Sequence, residues 1–363
     1  MNAYINSYEV ACNAGDTIAL MDAIYNKNSA ITIDTNFLNG KPAGLGIMPK
    51  YNDFFKVLED VVQKILDQSN LENFNNTLLI LGSSVGGMQI SEALFFRDHH
   101  YRNIDPLKHS IHVLSDHLMQ KFNFYDTRSI STACTSSANA IFLAKRLIDV
   151  DAYDNILVVG ADAMTHTTVL GFNDLSVLSS DKCRPFDKER TGMNVSEAIA
   201  GLLIQNIKTK DSIELKGVGA SSDAYHMTNP DPEAKGAISS MNSAIKDAGL
   251  TPNDIDYVNA HGTATLANDK VEALAIETLF DKPYVSSTKA ITGHTLGAAG
   301  AIEAIISCEV IKRSLVAPQT GLKEAENKNI NLVLEPVKKE IRNVVSNSFA
   351  FGGNNTSLVL GVC

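Results

Sequence analysis

The stretch "GAAGAIEAIISCEVIKR", residues 297 to 313, is apolar almost all the way round a helical projection. Such a helix offers water no face, so other elements must cover it on several sides. A chain that contains it folds in layers, with this helix near the middle. Glu303 is then an anomaly, because a buried carboxylate needs a partner. Lys289 is the candidate partner; the other reading is that Glu303 reaches solvent through a gap in the cover.

Short apolar runs bounded by Gly or Asn, namely "TLLILGSS", "NILVVGAD", "DYVNAHG" and "NVVSNSFAFGG", read as buried strands. Helical patterns lie between them. "SSANAIFLAKRLI" places Ile141, Ala144 and Ile148 on one face, behind a hydroxyl-rich start. This alternation predicts an α/β protein of mixed sheets covered by helices. With 363 residues the chain accommodates two domain-sized halves. The polar stretch "IQNIKTKDSIEL" is the best junction, dividing residues 1–207 from 208–363.

A formal net charge of -10 argues against general affinity for nucleic acid or anionic lipid, which needs clustered Lys and Arg. No uncharged apolar run reaches the length of a membrane span, and "MNAYINSYEVACNAGD" lacks a cationic leader. A cytoplasmic location is expected. Five cysteines, at 12, 134, 183, 308 and 363, include no C-x-x-C pair, so neither a disulfide framework nor a zinc knuckle is indicated.

In "STACTSS", Cys134 precedes a helix start, where free N–H groups and the dipole would lower a thiol pKa and could hold an oxyanion. An inert buried thiol fits the same stretch. His261 in "NAHGTAT" and His294 in "STKAITGHTLGAAG" each follow a strand and sit among small residues that let a substrate approach. A charged Lys289 near them would favour neutral imidazoles, which donate hydrogen bonds to a carbonyl. "SFAFGGNN" offers a sharply turning backbone beside Phe349 and Phe351, suited to an oxyanion donor, a gate or an ordinary hairpin turn. His109, His112, Asp116 and His117 share helical spacing but lack H-E-x-x-H, so no metal site is expected. "GSSVGGM" lacks the Gly-Lys-Ser/Thr of a nucleotide loop.

Taken together, Cys134 in "TACTSS", His261 in "NAHGTAT", Lys289 and His294 in "SSTKAITGH", Glu303 in "GAIEA" and Phe351 in "NSFAFGGNN" resemble, in order, the motifs of the β-ketoacyl-[acyl-carrier-protein] synthases. "SSDAYHMTNPDP" resembles the elongating type. The resemblance implies a thiolase-like five-layered αβαβα sandwich of two similar halves, with Cys134 supplied by the first and the histidines by the second. It implies that Cys134 takes an acyl group from an acyl carrier protein, with the N–H groups of Cys134 and Phe351 as oxyanion hole. His261 and His294 would then support decarboxylative Claisen condensation with a malonyl thioester. Thr263 and Thr265 correspond to positions near the pantetheine arm, Phe351 to a gate flanked by Phe349, and Val85 to a residue limiting the acyl pocket. No cofactor is implied beyond the carrier's phosphopantetheine.

The chain departs from the family in "GMNVSEAIAG", where Ser196 and Ala198 flank Glu197 in place of glycines, so packing near the pocket must differ. Its first eighty residues are short and divergent. These departures set polyketide or aryl-polyene elongation beside fatty acid elongation, and a heterodimer with a related subunit beside a homodimer. Two alternatives share the fold: a chain-length-determining partner subunit, which an intact Cys134 argues against, and a thiolase, which would want a second cysteine in "FAFGGNN".

Overall fold

The computed structural model describes residues 2–49 and 53–363. Five strands build a first half-sheet: β1 (Ala3–Cys12), β2 (Leu78–Gly82), β3 (Asp126–Ile130), β4 (Asn155–Asp162) and β5 (Ala198–Gln205). Six build a second: β6 (Ile213–Ser222), β7 (Tyr257–Asn259), β8 (Tyr284–Ser286), β9 (Asn331–Leu332), β10 (Asn343–Phe349) and β11 (Asn354–Val362). The spatial orders are β1-β5-β4-β2-β3 and β6-β11-β10-β7-β8-β9. Each half therefore runs first, last, penultimate, second, third, with β9 as an addition to the second edge.

The pairings repeat as well. In each half the first two junctions in that order are antiparallel, β1/β5 and β5/β4 matching β6/β11 and β11/β10. The remaining ones, β4/β2/β3 and β10/β7/β8, are parallel. The halves are not separate sheets, however. Ala3–Ile5 of β1 pairs antiparallel with Ile213–Leu215 of β6, joining all eleven strands into one hydrogen-bonded sheet.

Side-chain alternation sorts the residues into layers. Leu79, Leu81, Leu157 and Val159 face outward onto α1 (Phe54–Gln68) and α2 (His112–Phe122). Their neighbours Leu78, Ile80, Ile156 and Val158 face inward onto α3 (Ser136–Asp149) and α6 (Ala299–Arg313). The second half-sheet covers the same two helices with Val344, Leu358 and Leu360, and turns Val258, Val345 and Val359 outward onto α4 (Lys235–Asp247) and α5 (Leu266–Leu279). The result is the five-layered αβαβα sandwich.

α6 is the all-round apolar helix, and its Ile302, Ile305 and Ile306 are almost fully buried. Each contributes about 1.5–3 kcal/mol relative to exposure. Where α6 crosses α3, a Cβ on Gly300 would stand 2.7 Å from Ala138, so only glycine permits this approach. The Ser137 hydroxyl at the start of α3 accepts from the Ala301 N–H at the start of α6 (2.9 Å). The N-termini of both central helices thus converge at the carboxyl ends of the parallel strands, where α/β folds place ligand sites. No helix among the described residues is long and apolar enough to cross a membrane.

Candidate active site

Cys134 lies in the turn between β3 and α3, two residues ahead of the helix rather than within its first turn. Ala133 takes a left-handed φ of 53°, which aims the next side chain away from the sheet. Hydroxyls hold this elbow: Ser136 Oγ and Ser84 Oγ both donate to Ala133 O, and Ser136 Oγ accepts from Thr132 N.

The histidines arrive from the other half. His261 follows β7, and its N–H and that of Gly262 both donate to Glu272 on α5 (2.8 and 2.7 Å). His294 follows β8. Its N–H donates to Asn194 O and its carbonyl accepts from Ser196 N, so the divergent "NVS" segment grips it like a short strand. His294 Nε2 stands 2.9 Å from Cys134 Sγ, and the two imidazoles meet edge to face at 5.2 Å.

Lys289 and Glu303 form a buried ion pair, which answers the anomaly of the apolar helix. Lys289 Nζ also donates to His261 O (2.6 Å) and faces His261 Nδ1 at 3.3 Å. An ammonium can only donate, so Nδ1 accepts and the His261 proton sits on Nε2. Burial, then the Lys289 charge, drive both histidines well below 6.5, so they are neutral near pH 7. Burial raises the Glu303 carboxyl to about 7 against the pull of Lys289.

One expectation fails. The thiol of Cys134 is not lowered but pushed up to about 12, because burial outweighs Lys289 and the N–H groups of Cys134 and Phe351 that face Sγ. The half-dipole of a helix is worth about 0.3–1 kcal/mol, less than the several kcal/mol needed to strip water from a thiolate. Those two N–H groups nevertheless converge on the sulfur, from opposite halves.

A cavity of about 320 Å³ opens on these groups. Thr263 and Thr265 line it, with their hydroxyls 3.0 Å apart, as do Phe349 and Phe351 of the loop between β10 and β11. Phe351 also meets Phe172 across the cavity, with ring centroids 6.1 Å apart. Met193 and Val177 contribute apolar wall. Val85 does not line it; it is buried in the apolar cluster that also holds Met193 and Leu296. The turn "SFAFGGNN" is both hairpin and site, with Gly352 and Gly353 at φ of 88° and 76°. The helix expected around His109 to His117 is broken: His109 Nδ1 meets Ser91 Oγ, and His117 Nε2 meets Glu59.

Sequence reasoning missed the buried acids that hold the loops. Asp162, fully buried at the end of β4, accepts from Ser83 Oγ and from the N–H groups of Ser84, Val85 and Gly297, tying the "GSSVGG" loop to the second half. Glu272 does the same for the His261 loop. The available signal was an acid inside a strand or on a helix face that is otherwise apolar.

Two family models match: Beta-ketoacyl synthase, N-terminal domain, over residues 48–210, and Beta-ketoacyl synthase, C-terminal domain, over residues 213–323. The 3-oxoacyl-[acyl-carrier-protein] synthase 2 of Coxiella burnetii is 41% identical over 64% of this chain, an alignment that spans 61% of that protein's length. The mitochondrial 3-oxoacyl-[acyl-carrier-protein] synthase of Arabidopsis thaliana is 34% identical over 79% of this chain and 69% of its own. Among solved structures, a chain of the complex between a ketosynthase and its chain length factor from Xenorhabdus doucetiae superposes with a TM-score of 0.88 at 31% identity, covering 100% of this chain and 98% of that one. A β-ketoacyl synthase from Burkholderia phymatum gives 0.89 at 25% identity, covering 100% and 99%.

Proposed function

The chain belongs to the β-ketoacyl synthase family, and we propose that it joins an acyl group held on Cys134 to a malonyl unit delivered by an acyl carrier protein. The observation that carries this reading is Cys134 Sγ with His294 Nε2 on one side and the N–H groups of Cys134 and Phe351 on the other.

The first half-reaction transfers the acyl group from the carrier's phosphopantetheine thioester. Cys134 sulfur attacks the thioester carbon as its proton passes to His294 Nε2, and the oxyanion rests on the Cys134 and Phe351 N–H groups. Collapse expels the carrier thiolate, which takes that proton. A thiol pushed to about 12 makes proton removal in the transition state necessary, because little thiolate stands ready at pH 7.

In the second half-reaction His294, its single proton moved from Nδ1 to Nε2 by exchange with solvent once the carrier thiol has left, donates beside His261 Nε2 to the malonyl thioester carbonyl. Carbon dioxide leaves, and the bonding pair forms an enolate stabilised by those two donors. Its carbon attacks the acyl-Cys134 carbon and the C–S bond breaks. β-Ketoacyl carrier protein departs, and the Cys134 thiolate regains a proton from solvent. Neutral imidazoles suit this step, since an imidazolium would surrender its proton to the enolate.

The substrates arrive on phosphopantetheine, with Thr263 and Thr265 beside the arm and the apolar cluster that holds Val85 and Met193 bounding the acyl chain. We place the junction of the halves at 207/208, between β5 and β6. Free cysteines throughout the described residues accord with a cytoplasmic setting. Fatty acid, aryl-polyene and polyketide elongation all use this chemistry. The enzyme works as a homodimer or beside a chain-length subunit, the arrangement named for the X. doucetiae complex.

Incubation with acyl carrier proteins of several chain lengths plus malonyl carrier protein, followed by mass spectrometry, tests the reading. Expected are an acyl-enzyme on Cys134 and an elongated product, both missing in Cys134→Ala. If neither forms with the native chain, alone or with a chain-length subunit, the proposal fails.

A further inference from the structure

The two N–H groups facing Cys134 Sγ belong to different halves. One comes from the elbow before α3, the other from the hairpin of β10 and β11. An oxyanion hole works only if both donors lie about 2.7–3.1 Å from one oxygen position. The spacing therefore depends on what ties elbow to hairpin.

That tie is a chain of four side chains. Asn139, one turn into α3, directs its Nδ2 back to Thr132 Oγ1 (2.9 Å) and Thr135 Oγ1 (3.3 Å), the hydroxyls flanking Cys134. Thr135 Oγ1 in turn donates to Thr132 O (2.7 Å), closing the elbow. On its other side Asn139 Oδ1 accepts from Thr356 Oγ1 at 2.7 Å. Thr356 is fully buried on β11, five residues beyond Phe351 and cross-strand from Ser348 on β10. Its neighbour Ser357 donates to Asn347 on β10 (2.8 Å), which stiffens the hairpin that Thr356 anchors.

We propose that Asn139 and Thr356 brace the oxyanion hole by setting the distance between the Cys134 and Phe351 N–H groups. They are positioning residues for the condensation proposed above, on which this inference rests. The geometry is specific: the amide donates to two elbow hydroxyls and accepts from the other half, whereas a carboxylate could only accept and a hydroxyl has a single proton for two acceptors.

The test uses the full chain with Thr356→Val, Thr356→Ser and Asn139→Ala, each checked by thermal melting. The first readout is alkylation of Cys134 by iodoacetamide at pH 8, which reports how well the same two N–H groups stabilise the thiolate, resolved by peptide mass spectrometry against exposed Cys363 as internal control. The second is single-turnover acylation from acyl carrier protein. Thr356→Val and Asn139→Ala should slow both at Cys134 by about tenfold, short of the 10²–10³ lost when a donor is deleted. Thr356→Ser keeps the hydroxyl and should match the native rate, and Cys363 should be unaffected. Native rates in Thr356→Val, or equal losses in Thr356→Ser, overturn the brace. A native chain that takes no acyl group sinks the condensing reading, while the alkylation comparison still judges the brace.

Discussion

His294 Nε2 lies 2.9 Å from Cys134 Sγ, although the two side chains come from opposite halves of the molecule and stand 160 positions apart. The thiol is pushed up and the imidazole is held down, so the resting pair is uncharged. Neither group is ionised until substrate arrives.

The first prediction concerns this contact. His294→Ala removes both the acceptor of the thiol proton and one enolate donor, and should lower acylation and condensation each by about 10²–10⁴. His261→Ala should spare acylation and strike condensation alone. Rapid-quench measurement of the acyl-enzyme and of the elongated product separates the two; equal effects on both steps in His261→Ala would contradict the assignment.

The buried ion pair yields the second. Lys289→Met strands the Glu303 carboxyl among apolar neighbours and should destabilise the fold by about 3–5 kcal/mol. Lys289→Met combined with Glu303→Leu should recover much of that loss without restoring condensation, because His261 Nδ1 then lacks its donor. Denaturant midpoints of the native chain, Lys289→Met, Glu303→Leu and the double variant give the coupling energy, and simple additivity would refute it.

Stability should also respond to acid in a defined direction. The folded chain holds His261 and His294 well below 6.5, whereas the unfolded chain protonates them near that value. Their contribution is complete above about 6.5 and is lost as pH falls toward the depressed folded values, at about 1.4 kcal/mol per pH unit for each histidine. Unfolding free energies at pH 5, 6 and 7 should show a steeper slope for the native chain than for His261→Asn/His294→Asn. Matching slopes would mean the imidazoles are not held neutral.

A fourth prediction probes the central layer. Gly300→Ala forces a methyl to 2.7 Å from Ala138, backbone included, where α6 crosses α3. The expected loss is about 1–3 kcal/mol. Because Ala301 N and Ser137 Oγ sit beside this crossing, Cys134 acylation should fall too. Gly171→Ala, inside the helix His166–Asp174 with nothing within 4 Å of its added methyl, serves as the control and should keep or slightly raise the melting temperature, by about 0.4–1 kcal/mol of stability.

Much of this was legible in the amino-acid order. An all-round apolar helix demanded cover on both sides, and the carboxylate at its middle, Glu303, demanded a cation, which Lys289 supplies. The strand runs ending in Gly or Asn placed the loops of His261 and Phe351 at strand ends, and the small residues around His294 marked a third. Period and composition are local properties, so they survive translation into structure without knowledge of the partner surface.

Other features were decided only by folding. The helix start beside Cys134 suggested an acidified thiol, yet the second half buries the sulfur, and desolvation depends on everything packed around a group rather than on its chain neighbours. The joining of β1 to β6 into one sheet, the gathering of four donors on Asp162 and the Asn139–Thr356 bond are likewise contacts between distant residues. Sequence determined which chemical groups this protein possesses and which segments carry them; tertiary structure decided their protonation and their spacing, because both are set by long-range packing that no local pattern encodes.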